Sequence, residues 1–569
     1  MNMDTSSIIK SWRECPSLDK QLKTQLDTMS ESEQIDAFYK NIEFGTAGMR
    51  GLMGPGPNRI NLFTIRKATV GFGQYLLATF EAATTMGVVI AHDNRYQSRE
   101  FNDEIAATLS DMGFKVYIFD ELRPTPELSF AVRVLKACGG IVITASHNPK
   151  EYNGFKVYDE NGCQLTPYKI EPLIEAINRL PDALKVTAPQ NQSKGKIITL
   201  GPDIDRQYLD AIKAISLYPN LPKLGFKVVY SPQHGSGYRL GVQLLRECGY
   251  ELYPVENQCF PDPKFPNTKS PNPELAIAYE EAIKLAQRIE AQLIVITDPD
   301  ADRVGLAYRD RKGRYIRLTG NQSGALLIDY LLKQRAALGL LSHNGVVYDT
   351  IVTSPLGAKV ARFHHCRVET FLTGFKFIGD RIDFYEKTGG PHFEFGYEES
   401  YGCLIAPFAR DKDGLQALLM YAEMALFHHQ NGYDLGQMLH ILQKRHGFHA
   451  DEQYSIEFKG MAGTAKMTEL LNKLRMTPFA NIGAYKVIQF EDYLTQKRKD
   501  EQGIYPIALP PSDVVKFYLN DGSSITIRPS GTEPKCKFYY SAVGSSESIV
   551  KAKIPELHQM FCKTYKIDS

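Results

Sequence analysis

The chain has 569 residues, of which 43% are hydrophobic and 23% charged, and its formal net charge is +1. That apolar content excludes disorder as the main state, and the balanced charge gives no global attraction to nucleic acid or an anionic membrane. At roughly 150 residues per domain, the length implies three to five domains.

No stretch approaches the ~18 consecutive apolar residues that a membrane helix needs. The polar N-terminus lacks the layout of a signal peptide. The nine cysteines include no C-x-x-C pair, so zinc and redox sites have no support. An odd cysteine count without a secretory signal fits a reducing cytoplasm.

Taken in chain order, the spacing of Leu18, Leu22, Leu26, Met29, Ile35 and Phe38 predicts an amphipathic helix over 18–40. The Gly-rich run Phe44-Gly45-Thr46-Ala47-Gly48-Met49-Arg50-Gly51 reads as a loop. A helix is expected over about 61–83. Short apolar strands are expected at 88–93 and 141–144. Asn153-Gly154 is expected to make a tight turn, and Asn161-Gly162 a hairpin turn. Further strands are expected at 228–232, 293–297 and 346–352, with an ordered surface loop over 254–273 and a helix over 275–289. Strands that recur in this way between helices indicate parallel α/β layers. The reading is α/β, with three related mixed-sheet domains in series at 1–205, 206–318 and 319–445. Residues 446–569, with strands near 514–519, 524–528 and 536–541, form a separate α+β domain.

Five segments carry chemistry. The strand 141–144 runs into Ala145-Ser146-His147-Asn148-Pro149, and ligands of open α/β sheets bind beyond the carboxyl ends of strands. Ser146 there is either a nucleophile or the cap of the next element. Lys156 lies on a strand that can fold back over Ser146, as a charge stabiliser, a proton shuttle or a solvated lysine. Asp298-Pro299-Asp300-Ala301-Asp302-Arg303 follows the strand 293–297. Three carboxylates at alternate positions repel one another unless a hard cation joins them, and oxygen donors suit Mg²⁺ or Ca²⁺; the alternative is an acidic loop that caps a helix. An EF-hand is excluded, because Arg303 stands where its loop needs Gly and Arg309 where it needs Glu. Gly396-Tyr397-Glu398-Glu399-Ser400 is either a solvated loop or a set of carboxylates and hydroxyls that suits sugar hydroxyls. Arg528-Pro529-Ser530-Gly531-Thr532 is either a surface turn or a cradle whose guanidinium fork, hydroxyls and backbone N–H groups suit a phosphate. It lacks the Walker A pattern.

Together these motifs resemble those of the α-D-phosphohexomutases, the phosphoglucomutase/phosphomannomutase superfamily. The resemblance runs from about residue 40 to the C-terminus, and the Phe44–Gly51 opening resembles the branch of bacterial phosphoglucomutases and animal phosphopentomutases. It implies four domains around a central cleft and a Ser146 that carries a phosphoryl group. Asp298, Asp300 and Asp302 would hold Mg²⁺, with a phosphoserine oxygen of Ser146 completing the site. Arg50, His147 and Lys156 match positions that stabilise charge or move protons. Thr373, Gly374, Lys376, Glu398, Ser400 and Arg303 would contact the sugar phosphate, and Arg528, Ser530, Gly531 and Thr532 its non-reacting phosphate. The implied activity interconverts glucose 1-phosphate and glucose 6-phosphate in the cytoplasm, with glucose 1,6-bisphosphate as intermediate and activator. A phosphopentomutase is the alternative, and a sugar-phosphate-binding protein without activity the reading from another class. Small sugar phosphates are the implied partners, not nucleic acid or a membrane.

Overall fold

The computed structural model describes residues 5–45, 48–189, 191, 193–458, 460–529 and 535–567, with backbone alone over 460–464. The described chain divides into two compact units. One holds the residues up to Thr319 together with Phe375–Asp434; the other holds Gly320–Gly374 together with those from Leu435 on.

The first unit opens with helices α1 (Thr5–Glu14), α2 (Lys20–Thr28) and α3 (Glu31–Phe38). The single helix expected over 18–40 is therefore two. Ser30 separates them: its hydroxyl accepts the N–H of Glu33, and the Glu33 carboxylate accepts the N–H of Ser30 at 2.7 Å. This reciprocal cap starts a new helix. Trp12, Leu22, Leu26 and Phe38 bury one another against Phe63.

Next come strands β1 (Met49–Leu52), β2 (Val88–His92), β3 (Val116–Phe119), β4 (Gly139–Ile143), β5 (Tyr152–Tyr158) and β6 (Ile197–Leu200). They form one sheet in the order β1-β5-β4-β2-β3-β6. The run β4-β2-β3-β6 is parallel, and β5 is antiparallel to both β4 and β1. Both β2 and β4 are buried throughout, which is why they read as unbroken apolar runs. Helices α4 (Leu62–Thr79), α5 (Ala83–Met86), α6 (Ser98–Asp111) and α7 (Thr125–Leu135) lie within this region. The helix expected over 61–83 ends at Thr79. Asn61 caps its start by accepting the N–H groups of Phe63 and Thr64 at 3.1 Å each.

The expected turn at Asn153-Gly154 is not there. Both residues lie inside β5, where Gly154 pairs with Arg50. A Cβ on Gly154 would stand 2.6 Å from the Thr144 carbonyl oxygen and 2.7 Å from that of Met49. The glycine serves close strand approach instead of chain reversal. At Asn161-Gly162 the chain does turn: Gly162 has φ +73°, and Tyr158 bridges Gln164 antiparallel.

The second sheet has strands β7 (Lys227–Ser231), β8 (Glu251–Pro254), β9 (Leu293–Thr297), β10 (Val304–Arg309) and β11 (Tyr315–Arg317), in the order β11-β10-β9-β7-β8. Here β9, β7 and β8 are parallel, while β10 is antiparallel to β9 and β11. The helix expected over 275–289 begins as a 3-10 turn, Ala276–Tyr279, and is α-helical only over Glu280–Ile289. Strands β12 (Gly345–Thr350) and β13 (Arg367–Phe371) make a parallel pair in the second unit; β14 (His392–Tyr397) and β15 (Cys403–Leu404) make an antiparallel pair in the first.

The C-terminal region is an antiparallel sheet of β16 (Phe448–Glu457), β17 (Val487–Asp492), β18 (Lys497–Asp500), β19 (Gly503–Pro506), β20 (Val515–Leu519), β21 (Ser524–Pro529) and β22 (Lys535–Gly544). Phe490, Phe517 and Phe538 on its strands pack with Leu474 and with Phe561 of the helix Glu547–Tyr565. Three α/β regions followed by this α+β region make a four-domain α/β architecture. Among the described residues, no helix is long and apolar enough to cross a membrane.

Gly154→Ala drives a methyl group into two backbone carbonyls, neither of which can swing aside. It is expected to lower the stability of the full chain by about 1–3 kcal/mol, read as a lower urea midpoint. An unchanged midpoint contradicts the close-approach account.

Candidate active site

Two strand ends build the site. Strand β4 ends at Ile143, and Ser146 follows with a left-handed backbone, φ 51°. That conformation costs a non-glycine residue about 1–3 kcal/mol and persists only where the surroundings impose it. They do so here: the Ser146 N–H donates to Thr144 Oγ1 at 2.8 Å, and Thr144 Oγ1 donates to Asp93 Oδ2 at 2.7 Å. Ser146 Oγ is thereby aimed at the second sheet, where it donates to Asp298 Oδ2 at 2.5 Å.

The loop between β9 and β10 carries Asp298, Asp300 and Asp302, all buried. One oxygen from each carboxylate lies within 4.8 Å of the others. Asp298 Oδ1 accepts the N–H groups of Asp302 at 3.2 Å and Arg303 at 3.0 Å, which winds the loop around it. Ala301, at φ 54°, makes the tight bend. The loop is pinned from outside as well. Thr125, at the start of α7, donates its N–H to the Asp300 carbonyl at 2.9 Å and its hydroxyl to Asp300 Oδ2 at 3.1 Å. Ser236 N–H donates to the Pro299 carbonyl at 2.7 Å, and Gly414 N–H to that of Ala301 at 3.0 Å.

Burial, then the neighbouring Asp300 and Asp302, push the Asp298 carboxyl well above the ordinary range. Burial also opposes the charge of Asp302, but Lys412, Lys156 and Arg303 hold it below that range. Asp300 Oδ1 and Asp302 Oδ1 are buried without a hydrogen-bond partner. Three convergent carboxylates with orphaned oxygens are the donor set of a hard divalent cation. Among the described residues it is the one group of three with that geometry.

Cationic side chains ring the carboxylates. Lys156, on β5, donates to Asp300 Oδ2 at 2.8 Å and faces Asp302 Oδ2 at 3.4 Å. Although burial disfavours its charge, Asp300 and Asp302 raise the Lys156 ammonium above the ordinary lysine range. Lys412 lies 3.3 Å from Asp302 Oδ2 and 3.1 Å from Asp411 Oδ1. Arg303 pairs with Glu274 at 2.9 Å, and Arg50 donates to Asn148 Oδ1 at 3.2 Å. His147 Nδ1 lies 3.1 Å from Ser146 Oγ. Burial, then Arg303 and Arg50, hold this imidazole neutral by keeping it well below the ordinary histidine range.

Ser146, His147, Lys156, Asp298, Asp300 and Asp302 thus form one cluster. Glu398 is buried, and its charge acts on both Arg303 and Lys412. The Val304 N–H donates to the Tyr401 carbonyl at 2.9 Å, tying the Glu398–Tyr401 segment to the metal loop. Ser400 is half-buried on that segment. Lys376 is buried and opens the helix Lys376–Thr388. Thr373, Gly374 and Arg528 belong to the second unit, with Arg528 on β21 opposite Lys537. Ser530, Gly531 and Thr532 lie outside the described residues, as do Thr46 and Ala47 of the opening motif.

The sequence reading missed Lys412, Thr125 and Asp93. The signal for Lys412 is the alternating run Arg410-Asp411-Lys412-Asp413-Gly414 directly before a helix. Asp413 caps that helix by accepting the N–H groups of Leu415 and Gln416 at 3.0 Å each, and a charged run that leads into a buried helix needs internal partners. Nothing in the sequence marks Thr125.

Four family models match, described as phosphoglucomutase/phosphomannomutase alpha/beta/alpha domain I over residues 41–182, domain II over 206–313, domain III over 319–445, and C-terminal domain over 479–552. A phosphoglucomutase of Staphylococcus epidermidis is 36% identical over 543 residues, covering 94% of this chain and 97% of that one. One from Staphylococcus aureus is 37% identical over 527 residues, covering 92% and 93%. Among solved structures, a phosphoglucomutase/phosphomannomutase family protein of Burkholderia thailandensis has a TM-score of 0.65 at 20% identity, covering 92% of this chain and 97% of its own. Parafusin of Paramecium, in an open form, has a TM-score of 0.67 at 19% identity, covering 93% and 95%. At these identities the two structures speak to the fold alone.

The raised Asp298 carboxyl makes a stability prediction. Folded Asp298 keeps its proton at pH values where the unfolded chain has lost it. In EDTA the contribution of Asp298 itself therefore falls as pH rises from about 4, against the opposite contributions of Asp300 and Asp302, whose carboxyls are held low. In Asp298→Asn this pH dependence weakens. Excess Mg²⁺ is expected to raise the unfolding free energy of the wild type, read from a higher urea midpoint, by about 2.7 kcal/mol at a hundredfold excess over Kd, and to leave the variant unmoved. An equal Mg²⁺ response in both proteins contradicts the assigned cation site.

Proposed function

Since the chain belongs to the phosphoglucomutase/phosphomannomutase family, we propose that it interconverts glucose 1-phosphate and glucose 6-phosphate through a phosphoryl group carried on Ser146. The observation that carries this reading is the 2.5 Å contact between Ser146 Oγ and Asp298 of the three-carboxylate group. It sets a nucleophile against a cation site, as phosphoryl transfer requires.

The residues would act as follows. Asp298, Asp300 and Asp302, with an oxygen of phosphorylated Ser146, would hold Mg²⁺. When bound, the cation supplies positive charge to the phosphoryl oxygens. The free hydroxyl of the sugar monophosphate attacks phosphorus, the bond to Ser146 Oγ breaks, and the proton lost by the hydroxyl is taken up by the released Ser146 Oγ. Glucose 1,6-bisphosphate results and turns over. Ser146 Oγ then attacks the other phosphate and releases the product hydroxyl, which takes up a proton. The Ser146 hydroxyl donates to Asp298 Oδ2 in the structure; once it turns to His147 Nδ1, 3.1 Å away on a neutral ring, that nitrogen accepts the Ser146 proton in the second step. Lys156 and Arg50 add charge against the transferring group.

By their resemblance to the family's motifs, Glu398, Ser400, Lys376 and Arg303, with Thr373 and Gly374, are assigned to the sugar phosphate. Arg528, Ser530, Gly531 and Thr532 are assigned to its non-reacting phosphate. The site-bearing regions 1–205, 206–318, 319–445 and 446–569, and a cytoplasmic location, belong to the same proposal. The curated relatives at 36% and 37% identity are phosphoglucomutases, which favours the hexose reaction over a pentose one. Intact Ser146 and three intact carboxylates stand against a silent binding protein.

Phosphorus-31 NMR with Mg²⁺, a trace of glucose 1,6-bisphosphate, and glucose 1-phosphate in competition with ribose 1-phosphate tests the assignment. Glucose 6-phosphate is expected to form first, and Ser146→Ala to lower the rate about 10³-fold or more. Preferential ribose 5-phosphate, or full activity in Ser146→Ala, contradicts it.

A further inference from the structure

Arg95 is fully buried, and its guanidinium is spent almost wholly on the backbone of the Ser146 loop. Its Nη2 donates to the carbonyls of Ser146 at 2.6 Å and Asn148 at 2.5 Å, and its Nη1 to those of Pro149 and Tyr152 at 2.8 Å each. Its Nε lies 3.3 Å from Asp93 Oδ2, and both side chains are 0% exposed. One planar group thus gathers four carbonyls from a stretch of seven residues.

Asp93 completes the brace from the other side. Its N–H donates to the Ile143 carbonyl at 3.0 Å, which fixes it beside the end of β4. Its Oδ1 accepts the Arg95 N–H at 2.9 Å and the Ser98 hydroxyl at 3.0 Å, and its Oδ2 accepts Thr144 Oγ1 at 2.7 Å. Thr144 Oγ1 in turn accepts the Ser146 N–H. Ser146 is therefore held at its N–H through Asp93 and at its carbonyl by Arg95. The two grips together define a left-handed residue that would otherwise relax.

We propose that Arg95 is a positioning residue that sets the direction of Ser146 Oγ toward the three-carboxylate loop; the proposal rests on the phosphoryl-transfer reading given above. Arg95 hydrogen-bonds neither the reacting atoms nor the carboxylate group; its hydrogen bonds go to the loop, and Arg95→Lys keeps the charge that also acts on His147. A lysine keeps the charge but cannot place donors at four carbonyls, because its ammonium is a point and not a fork. A small displacement of a nucleophile from its line of attack lowers chemistry about 10²-fold while leaving ground-state binding in place.

The test compares wild type, Arg95→Lys and Arg95→Ala in the full chain. Three quantities are read: kcat and KM for glucose 1-phosphate, the single-turnover rate of phosphate uptake on Ser146 from glucose 1,6-bisphosphate by intact-mass spectrometry, and Mn²⁺ affinity by electron paramagnetic resonance. In Arg95→Lys, kcat and the uptake rate are expected to fall together about 10²-fold. KM and Mn²⁺ affinity stay within about threefold, because sugar contacts and carboxylates are untouched. Guanidinium below denaturing concentration is expected to restore part of the rate in Arg95→Ala and none in wild type. Wild-type uptake matched by Arg95→Lys overturns the inference. So does a loss of rate that follows the loss of folded protein by circular dichroism without guanidinium rescue. Wild type that never takes phosphate on Ser146 overturns the functional reading itself, and is told apart by needing no variant.

Discussion

Three carboxylates share one buried loop, and the surrounding structure answers to that repulsion. Two like charges about 4 Å apart repel by about 4 kcal/mol at an effective dielectric constant near 20, several times the net worth of an ordinary hydrogen bond. No set of backbone contacts in the β9–β10 loop offsets this alone. The loop is pinned by Thr125, Ser236 and Gly414, and it is lined by Lys156 and Lys412. Even so, Asp300 and Asp302 each keep an oxygen without a hydrogen-bond partner. The arrangement makes sense as a divalent-cation site and is a poor choice for stability by itself.

The second constraint is direction. Ser146 and Asp298 are 152 residues apart and come from the ends of β4 and β9 in different sheets. Each sheet delivers its residue at the carboxyl end of a buried parallel strand, where the backbone is rigid and the next residues are free to turn. The turn is strained at Ser146 and at Ala301, both left-handed. Close packing and internal hydrogen bonds maintain this strain. The Gly154 contact with Thr144 and Met49 is one such pressure, and the bond from Thr144 to Asp93 is another.

What could be read from the sequence follows from this physics. Strands β2, β4, β7 and β9 were legible because they are buried on nearly every residue, so their apolar runs are unbroken. The carboxylate triplet was legible because no ordinary loop stacks like charges on alternate residues. Asn153-Gly154 misled because Asn-Gly is turn chemistry locally, while its tertiary role is close approach of β1 and β4. Ser30 went unread because the apolar spacing continues across it, and only the Glu33 carboxylate reaching back reveals the break. Lys412 and Thr125 stayed hidden for a further reason: their meaning lies in partners more than a hundred residues away, which residue type alone does not name.

The proposed reaction requires a cation, held by the three carboxylates, against a phosphoryl group on Ser146. The most direct measurement is the ³¹P NMR line of the phosphoserine in purified, phosphorylated protein during titration with Mn²⁺, whose unpaired electrons broaden nearby nuclei. The line is expected to broaden away as Mn²⁺ reaches one equivalent and to return with excess Mg²⁺ as the ions exchange. A phosphoserine line that stays sharp at one equivalent of bound Mn²⁺ would place the cation elsewhere and contradict the account.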